Sequence, residues 1–289
     1  MLDRLFLSVG AMKAGTTWLH QNLAGHPAIY FSPEKEIHYF ADPAAQSYMS
    51  LSHRTDRYQR VVRNLKPERL NAHVQRNLAW YASHYLAPTV DDKWYTDLFA
   101  ARSTIKPSAR YVADFSNLYM TLDGAGWSHV RSLAKTVRAI YTMRHPAKRL
   151  WSQLKFSYEF AGRGDELHTI DEDALTSFLK DEGNRQHADY AGAITRLRTH
   201  LAPEEIGFFF FEDVREKPLD TLRAIETFLD IKAHAYREDR FGKTVNPSTS
   251  MAVPPAFAEG AETIRADQVT KLTKLGFTVP DSWHTPFLK

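Results

Sequence analysis

Apolar positions in this chain gather into short runs separated by stretches with helical spacing. Leu5–Val9 is a brief, mostly apolar run closed by Gly10, too short for a helix, and it predicts a buried parallel strand. Thr16–Leu23 follows with Trp18, Leu19 and Leu23 on one face, and Gly25 before His26-Pro27 marks a helix stop. AIYF predicts a second strand, and SPEKEIHYF alternates from Glu36 onward and reads as extended. Tyr111–Phe115, Val137–Met143 and Ile206–Phe211, rich in β-branched and aromatic residues, predict three more strands. The order strand, helix, strand, insert, strand, helix, strand, helix predicts an α/β fold, a mainly parallel central sheet flanked by helices. An irregular α+β arrangement is the alternative.

Residues 41–109 turn polar and aromatic, with NAHVQRNLAWYASHYLA reading as helical and no clean strand, so they are expected to be a helical insertion. After FLDI the chain carries PSTSMAVPP and several short patterns that would wrap the domain. No repeat is visible, and residues 1–289 are read as a single domain. The 289 residues are 43% hydrophobic, enough for a sizeable core. A net charge of +3, with 25% charged residues, argues against a dedicated nucleic-acid binder but leaves room for a local anion site. The absence of cysteine excludes disulfides, thiolate nucleophiles and cysteine metal sites. No signal peptide pattern or membrane-spanning run of apolar residues appears, and the expectation is a cytoplasmic protein without a transmembrane segment.

Chemistry first surfaces in LSVGAMKAGTTW. Gly10 and Gly15 stand five apart after a strand and before a helix, nearly the G-x-x-x-x-G-K-[ST] loop that cradles nucleotide phosphates. Thr16 occupies the lysine position, and Lys13 lies inside the loop instead. Backbone N–H groups of such a turn form an anion nest, the helix N-terminus adds its dipole, and the hydroxyls of Thr16 and Thr17 add two donors. Trp18 reads equally as a core anchor and as a platform for a base. A second constellation is YTMRHPAKRLWSQLK: a strand ends at Arg144, Pro146 suits the first helical position, and Ser152 follows two turns in. A guanidinium and a hydroxyl so placed can meet one anion from two sides, at the strand end where open α/β sheets bind ligands. Lys148 and Arg149 read as solvated helix charges.

The loop with its internal lysine, together with the R-x-P-x-x-R-x-x-S arrangement of Arg144, Pro146, Arg149 and Ser152, resembles the sulfotransferases that use 3′-phosphoadenosine 5′-phosphosulfate (PAPS) as co-substrate and release PAP. The resemblance implies a P-loop-like sulfotransferase fold. It implies that Lys13, Ala14, Gly15, Thr16 and Thr17 grip the 5′ side, that Trp18 stacks on adenine, and that Arg144 and Ser152 hold the 3′-phosphate. FFFFEDVREKPLDTLRAIETFLDI resembles the family's later strand-turn-helix and reads as structural. RFGKTVNPS resembles its donor-closing basic loop, which makes Lys243 a further contact. KEIHYF is similar to a run in the heparan-type and related carbohydrate sulfotransferases, which implies Glu36 as the base and His38 as an aid to acceptor positioning. On residues alone, either of these two is able to take the acceptor proton, because in an extended segment they share a face. DFSNLYM departs from the family's usual element after the strand, at Asp114 and Asn117, and leaves acceptor recognition open. The expected reaction moves a sulfuryl group to a hydroxyl or amine of an acceptor, a carbohydrate or a small molecule, and requires no metal. A P-loop kinase and a non-catalytic nucleotide-binding protein are the rivals, and Thr16 in place of lysine speaks against the first.

Overall fold

The computed structural model describes residues 1–41, 47–242 and 251–287. Strands β1 (Leu2–Gly10), β2 (Ile29–Phe31), β3 (Tyr111–Phe115), β4 (Ala134–Met143) and β5 (Ile206–Phe210) form a mainly parallel sheet in the order β2-β3-β1-β4-β5. All five sit where the hydrophobic runs predict them, within a few residues at each end. Registers pair Leu5 with Val112 and Leu7 with Asp114 across β1 and β3, and Ile29 with Tyr111 across β2 and β3, all parallel. Every residue of β3, and of β1 from Leu5 onward, is buried. That continuity is what a strand covered on both faces requires.

The chain divides into two compact units. The first comprises Met1–Val9, His20–Ala139 and Glu226–Tyr236. Its sheet core is aromatic, with the Phe115 ring 5.3 Å from Phe6 and 5.1 Å from Phe31 in edge-on contacts. Helix α1 (Thr16–Leu23) enters this unit at His20. Between β2 and β3 lie α2 (Leu51–Arg63), α3 (Ala72–Trp80) running on into a π-helical turn at Tyr81–Tyr85, α4 (Asp92–Asp97) and α5 (Arg102–Ile105). Helix α6 (Gly124–Leu133) leads back into β4.

The second unit comprises Gly10–Leu19, Ile140–Ile225 and Arg237–Lys289. It holds α7 (Pro146–Phe160), α8 (Glu172–Lys180), α9 (Glu182–Ala188), α10 (Tyr190–His200), α11 (Phe211–Glu216), the start of α12 (Pro218–Phe228) and α13 (Pro255–Lys274). Leu150, Trp151 and Leu154 of α7 pack with Leu175 and Leu179 of α8 and with Phe257 and Ala261 of α13. The long α13 corrects the expectation of several short C-terminal patterns. Its buried face runs Phe257, Ala258, Ala261, Arg265, Gln268, Leu272 at helical spacing, but two of those positions are polar. A reading by hydrophobicity therefore loses the period halfway along.

Candidate active site

The loop from Gly10 to Thr17 is shaped by main-chain geometry. Ala11 N–H donates to the Thr142 carbonyl at 2.8 Å, Ala14 N–H turns back to Ala11 at 3.3 Å, and Leu19 N–H makes a helical bond to Gly15 O at 3.1 Å. Lys13 (φ 65°) and Gly15 (φ 86°) are left-handed, the alternation that turns successive N–H groups to one side. Gly15 admits no side chain: a Cβ there would lie 2.6 Å from Phe211 Cδ2. Thr16 is buried, Thr17 half-buried, and Trp18 buried against Phe241, with its Nε1–H donating to Phe241 O at 3.3 Å.

The second motif meets this loop directly. Arg144 Nη1 donates to Lys13 O at 3.1 Å, and its guanidinium carbon lies 4.7 Å from the centre of the Phe211 ring. Burial pushes the Arg144 pKa down, yet a guanidinium stays charged at any working pH. Pro146 opens α7 as expected, with the His145 side chain as N-cap accepting from Lys148 N–H at 3.4 Å. Burial lowers the His145 pKa to about 4, which keeps the ring neutral and able to accept. Ser152 is buried on α7, and one turn on the Phe156 ring lies 4.3 Å below Lys13 Nζ.

Lys148 is exposed, as expected, but Arg149 is not a solvated charge. It is fully buried, with Nη2 donating to Asn184 O at 3.3 Å, because its place on α7 faces the helices and not water. In the FFFFEDV segment, Phe211 packs against both Gly15 and Arg144. Lys155 was not singled out by the sequence. It is buried one turn beyond Ser152, and its pKa is lowered by burial, with the charge of Arg144 pushing the same way. Lys243 lies outside the described residues. Ammonium, guanidinium and hydroxyl groups are the donor chemistry that fits phosphate and sulfate oxygens.

In the first unit, KEIHYF is not a strand. Glu36 (φ 62°) and His38 (φ 60°) are both left-handed, so the extended alternation that would pair them does not exist. They meet by another route, with His38 Nε2 3.2 Å from Glu36 Oε2 and Lys35 Nζ 2.6 Å from Glu36 Oε1. The segment bends because one main-chain bond and several side chains from other elements hold its main chain. Glu36 N–H donates to Phe115 O at 3.1 Å, His38 N–H to Ser116 Oγ at 3.0 Å, and Arg57 donates to the carbonyls of Lys35 at 2.6 Å and Glu36 at 3.0 Å. Arg57 also pairs with Glu34, whose other oxygen accepts from Tyr81 at 2.6 Å. Burial alone would raise the Glu36 pKa, but the charges and hydrogen bonds of Lys35 and His38 outweigh it and hold the carboxyl at about 2. Its side chain is 24% exposed against 6% for His38, whose Nδ1 is buried without a hydrogen-bond partner among the described residues.

Below Ser116 lies Asp114, buried in β3, whose oxygens accept from Ser116 at 2.7 Å, Tyr119 at 2.7 Å and Tyr95 at 3.2 Å. Burial raises its pKa. Arg57 and Asp114 are the residues that sequence reasoning missed as supports. For Asp114 a signal existed, a carboxylate inside the apolar run YVADF. For Arg57 none did, since one more arginine in LSHRTDRYQRVVR carries no mark. Among the described residues, no cluster of His, Asp and Glu is placed to hold a metal ion, and no helix is long and apolar enough to cross a membrane.

Among curated proteins, no sequence relative matches the chain. A sulfotransferase from Alicyclobacillus acidocaldarius matches in structure at 23% identity over 97% of this chain and 98% of its own, with a TM-score of 0.62. The sulfotransferase domain of the Synechococcus PCC 7002 olefin synthase matches at 20% identity over 97% and 96%, with a TM-score of 0.53. That of the curacin biosynthetic pathway matches at 18% over 96% and 99%, with a TM-score of 0.51. At these identities the likeness is one of fold. The model that describes the sulfotransferase family matches residues 6–235, which contain the Lys13 loop, the Arg144–Ser152 motif and the Glu36 segment, and the chain belongs to that family of PAPS-dependent, sulfuryl-transferring enzymes.

Proposed function

We propose that the donor PAPS is held by Lys13, Ala14, Gly15, Thr16, Thr17 and Trp18 around its 5′-phosphosulfate and adenine. In this reading Arg144 and Ser152 hold its 3′-phosphate, Lys243 is a further contact, and the sulfuryl group passes to a hydroxyl or amine of the acceptor. The observation that carries the donor assignment is the hydrogen bond from Arg144 Nη1 to Lys13 O, which joins two motifs far apart in sequence. A 3′,5′-bisphosphate needs cationic grips of this kind at both ends.

In the transfer step the acceptor oxygen or nitrogen bonds to sulfur while the bond from sulfur to the bridging 5′ oxygen breaks. PAP leaves with the charge that Lys13 offsets, and the acceptor proton goes to Glu36. Exposure supports Glu36 over His38, because the buried Nδ1 of His38 faces no solvent while a quarter of Glu36 does. A carboxylate held at about 2 is ionised at neutral pH but weakly basic. It takes the proton late, once bond formation to sulfur has made the acceptor acidic. His38 and Lys35 orient the carboxylate, and no metal enters this scheme. The similarity of KEIHYF to the carbohydrate branch supports a sugar hydroxyl as acceptor, and the composition supports a cytoplasmic setting and a single catalytic domain. Incubation with PAPS labelled in its sulfuryl group, against a panel of glycans, phenols and lipids, should yield sulfated glycan by mass spectrometry, at the same rate with chelator. Sulfated phenol or lipid alone would move the acceptor class, and unconsumed PAPS with every acceptor would contradict the reading.

A further inference from the structure

Arg144 follows Met143, the last residue of β4, so its main-chain groups lie past the end of the strand. Such groups need partners once water is excluded. Tyr190, fully buried as the first residue of α10, supplies both: its hydroxyl donates to Arg144 O at 2.8 Å and accepts from Arg144 N–H at 3.4 Å. The next residue is pinned as well, with His145 N–H donating to Glu212 Oε1 at 3.0 Å. Tyr190 is itself held firmly. The buried Gln268 of α13 accepts from Ala191 N–H at 3.1 Å and donates to Asp189 at 3.2 Å, on either side of it.

We infer that Tyr190 is a positioning residue for recognition of the donor's 3′-phosphate: by clasping the main chain of Arg144 it fixes the direction in which the guanidinium leaves the strand end. The inference rests on the reading of Arg144 as the 3′-phosphate grip. An arginine side chain has several rotatable bonds, and its aim is defined only if its backbone is. Burial pushes the Tyr190 pKa up to about 12, so the hydroxyl keeps its proton and donates across the working pH range. Arg149 adds to the same environment. It is a fully buried cation whose Nε and Nη1 have no hydrogen-bond partner among the described residues, and its charge acts on both Tyr190 and Arg144. Buried cations left under-compensated favour an anion nearby.

The test is calorimetry of PAP and of adenosine 5′-phosphate with the full chain, for wild type, Tyr190→Phe, Arg144→Ala and the double variant. Tyr190→Phe keeps the ring and removes only the clasp. PAP affinity is expected to fall about tenfold and adenosine 5′-phosphate affinity to stay within about twofold, with KM for PAPS raised and kcat largely kept. In the Arg144→Ala background, Tyr190→Phe should leave the PAP-to-monophosphate ratio unchanged, because the side chain it positions is gone. Equal losses for both nucleotides would mark a merely structural tyrosine and overturn the inference, as would an unchanged ratio in Tyr190→Phe. If Arg144→Ala itself leaves the ratio unchanged, the assignment of the 3′-phosphate grip falls and takes this inference with it. A loss in Arg144→Ala without one in Tyr190→Phe removes this inference alone.

Discussion

The loop around Lys13 and the segment around Glu36 both bend through left-handed residues that are not glycine: Lys13 at 65°, Glu36 at 62° and His38 at 60°. Each such residue costs about 1–3 kcal/mol and persists only because its surroundings impose it. The two regions impose it differently. The loop is held mainly by its own backbone, by the Thr142 carbonyl and by one glycine that makes room for Phe211, with a single side-chain bond from Arg144 to the Lys13 carbonyl. The Glu36 segment has one main-chain bond, to the Phe115 carbonyl, and is otherwise held by side chains from distant elements, Arg57 of α2 and Ser116 beyond β3, with Asp114 beneath. A cradle made of main chain tolerates sequence change around it. A segment clamped by side chains does not, and its chemistry should be open to damage from positions that touch no substrate.

The largest effect expected is at the point where the two regions should separate. Glu36→Gln keeps the shape of the side chain but cannot accept a proton, so turnover should fall by roughly 10²–10⁴ while PAP affinity by calorimetry stays near wild type. His38→Ala should be milder. The reverse order would make His38 the base, and full activity in both would remove the segment from catalysis. Next comes Arg57→Ala, which frees the carbonyls of Lys35 and Glu36. A displacement of about 1 Å can cost roughly 10² in rate, so turnover should drop by about that much, again without loss of PAP binding. A parallel loss of PAP affinity would show that the two regions are not independent. Arg144→Ala should do the opposite, weakening PAP by about 1.5–3 kcal/mol, roughly 10- to 100-fold, with adenosine 5′-phosphate little changed.

The smallest effect is on pH dependence. The Glu36 carboxyl is held at about 2 in the fold, below its ordinary value near 4.5. A depressed carboxyl stabilises the fold fully above its unfolded pKa and loses that contribution as pH falls through the folded one. The melting-temperature difference between wild type and Glu36→Gln should therefore persist at pH 6 and shrink between about pH 4.5 and 2. A difference that grows over that window would mean the ion pair with Lys35 and His38 is not what lowers the group.

The contrast between the regions also explains which parts were legible in the sequence. Strand, glycine-bracketed turn and helix are local, and Lys13, Gly15 and Thr16 announce them within a dozen positions, as Arg144, Pro146 and Ser152 announce the second motif. The five strands were visible because the sheet buries continuous apolar runs. The shape of KEIHYF was not, because alternation in sequence predicts an extended chain and the bonds that bend it come from Arg57 and Ser116. Burial of Arg149 was hidden for a related reason: a charged residue between charged neighbours on a helix looks solvated until the packing helices are placed. In α13 the polar pair Arg265 and Gln268 on the buried face concealed the helix itself.

In the proposed function, two motifs distant in sequence close on opposite ends of one bisphosphate. Calorimetry of PAP against adenosine 5′-phosphate on the wild-type protein, with chelator present, tests it most directly. PAP should bind at least about tenfold more tightly, because only PAP carries the 3′-phosphate proposed to meet Arg144 and Ser152. Equal affinity for the two nucleotides would contradict it.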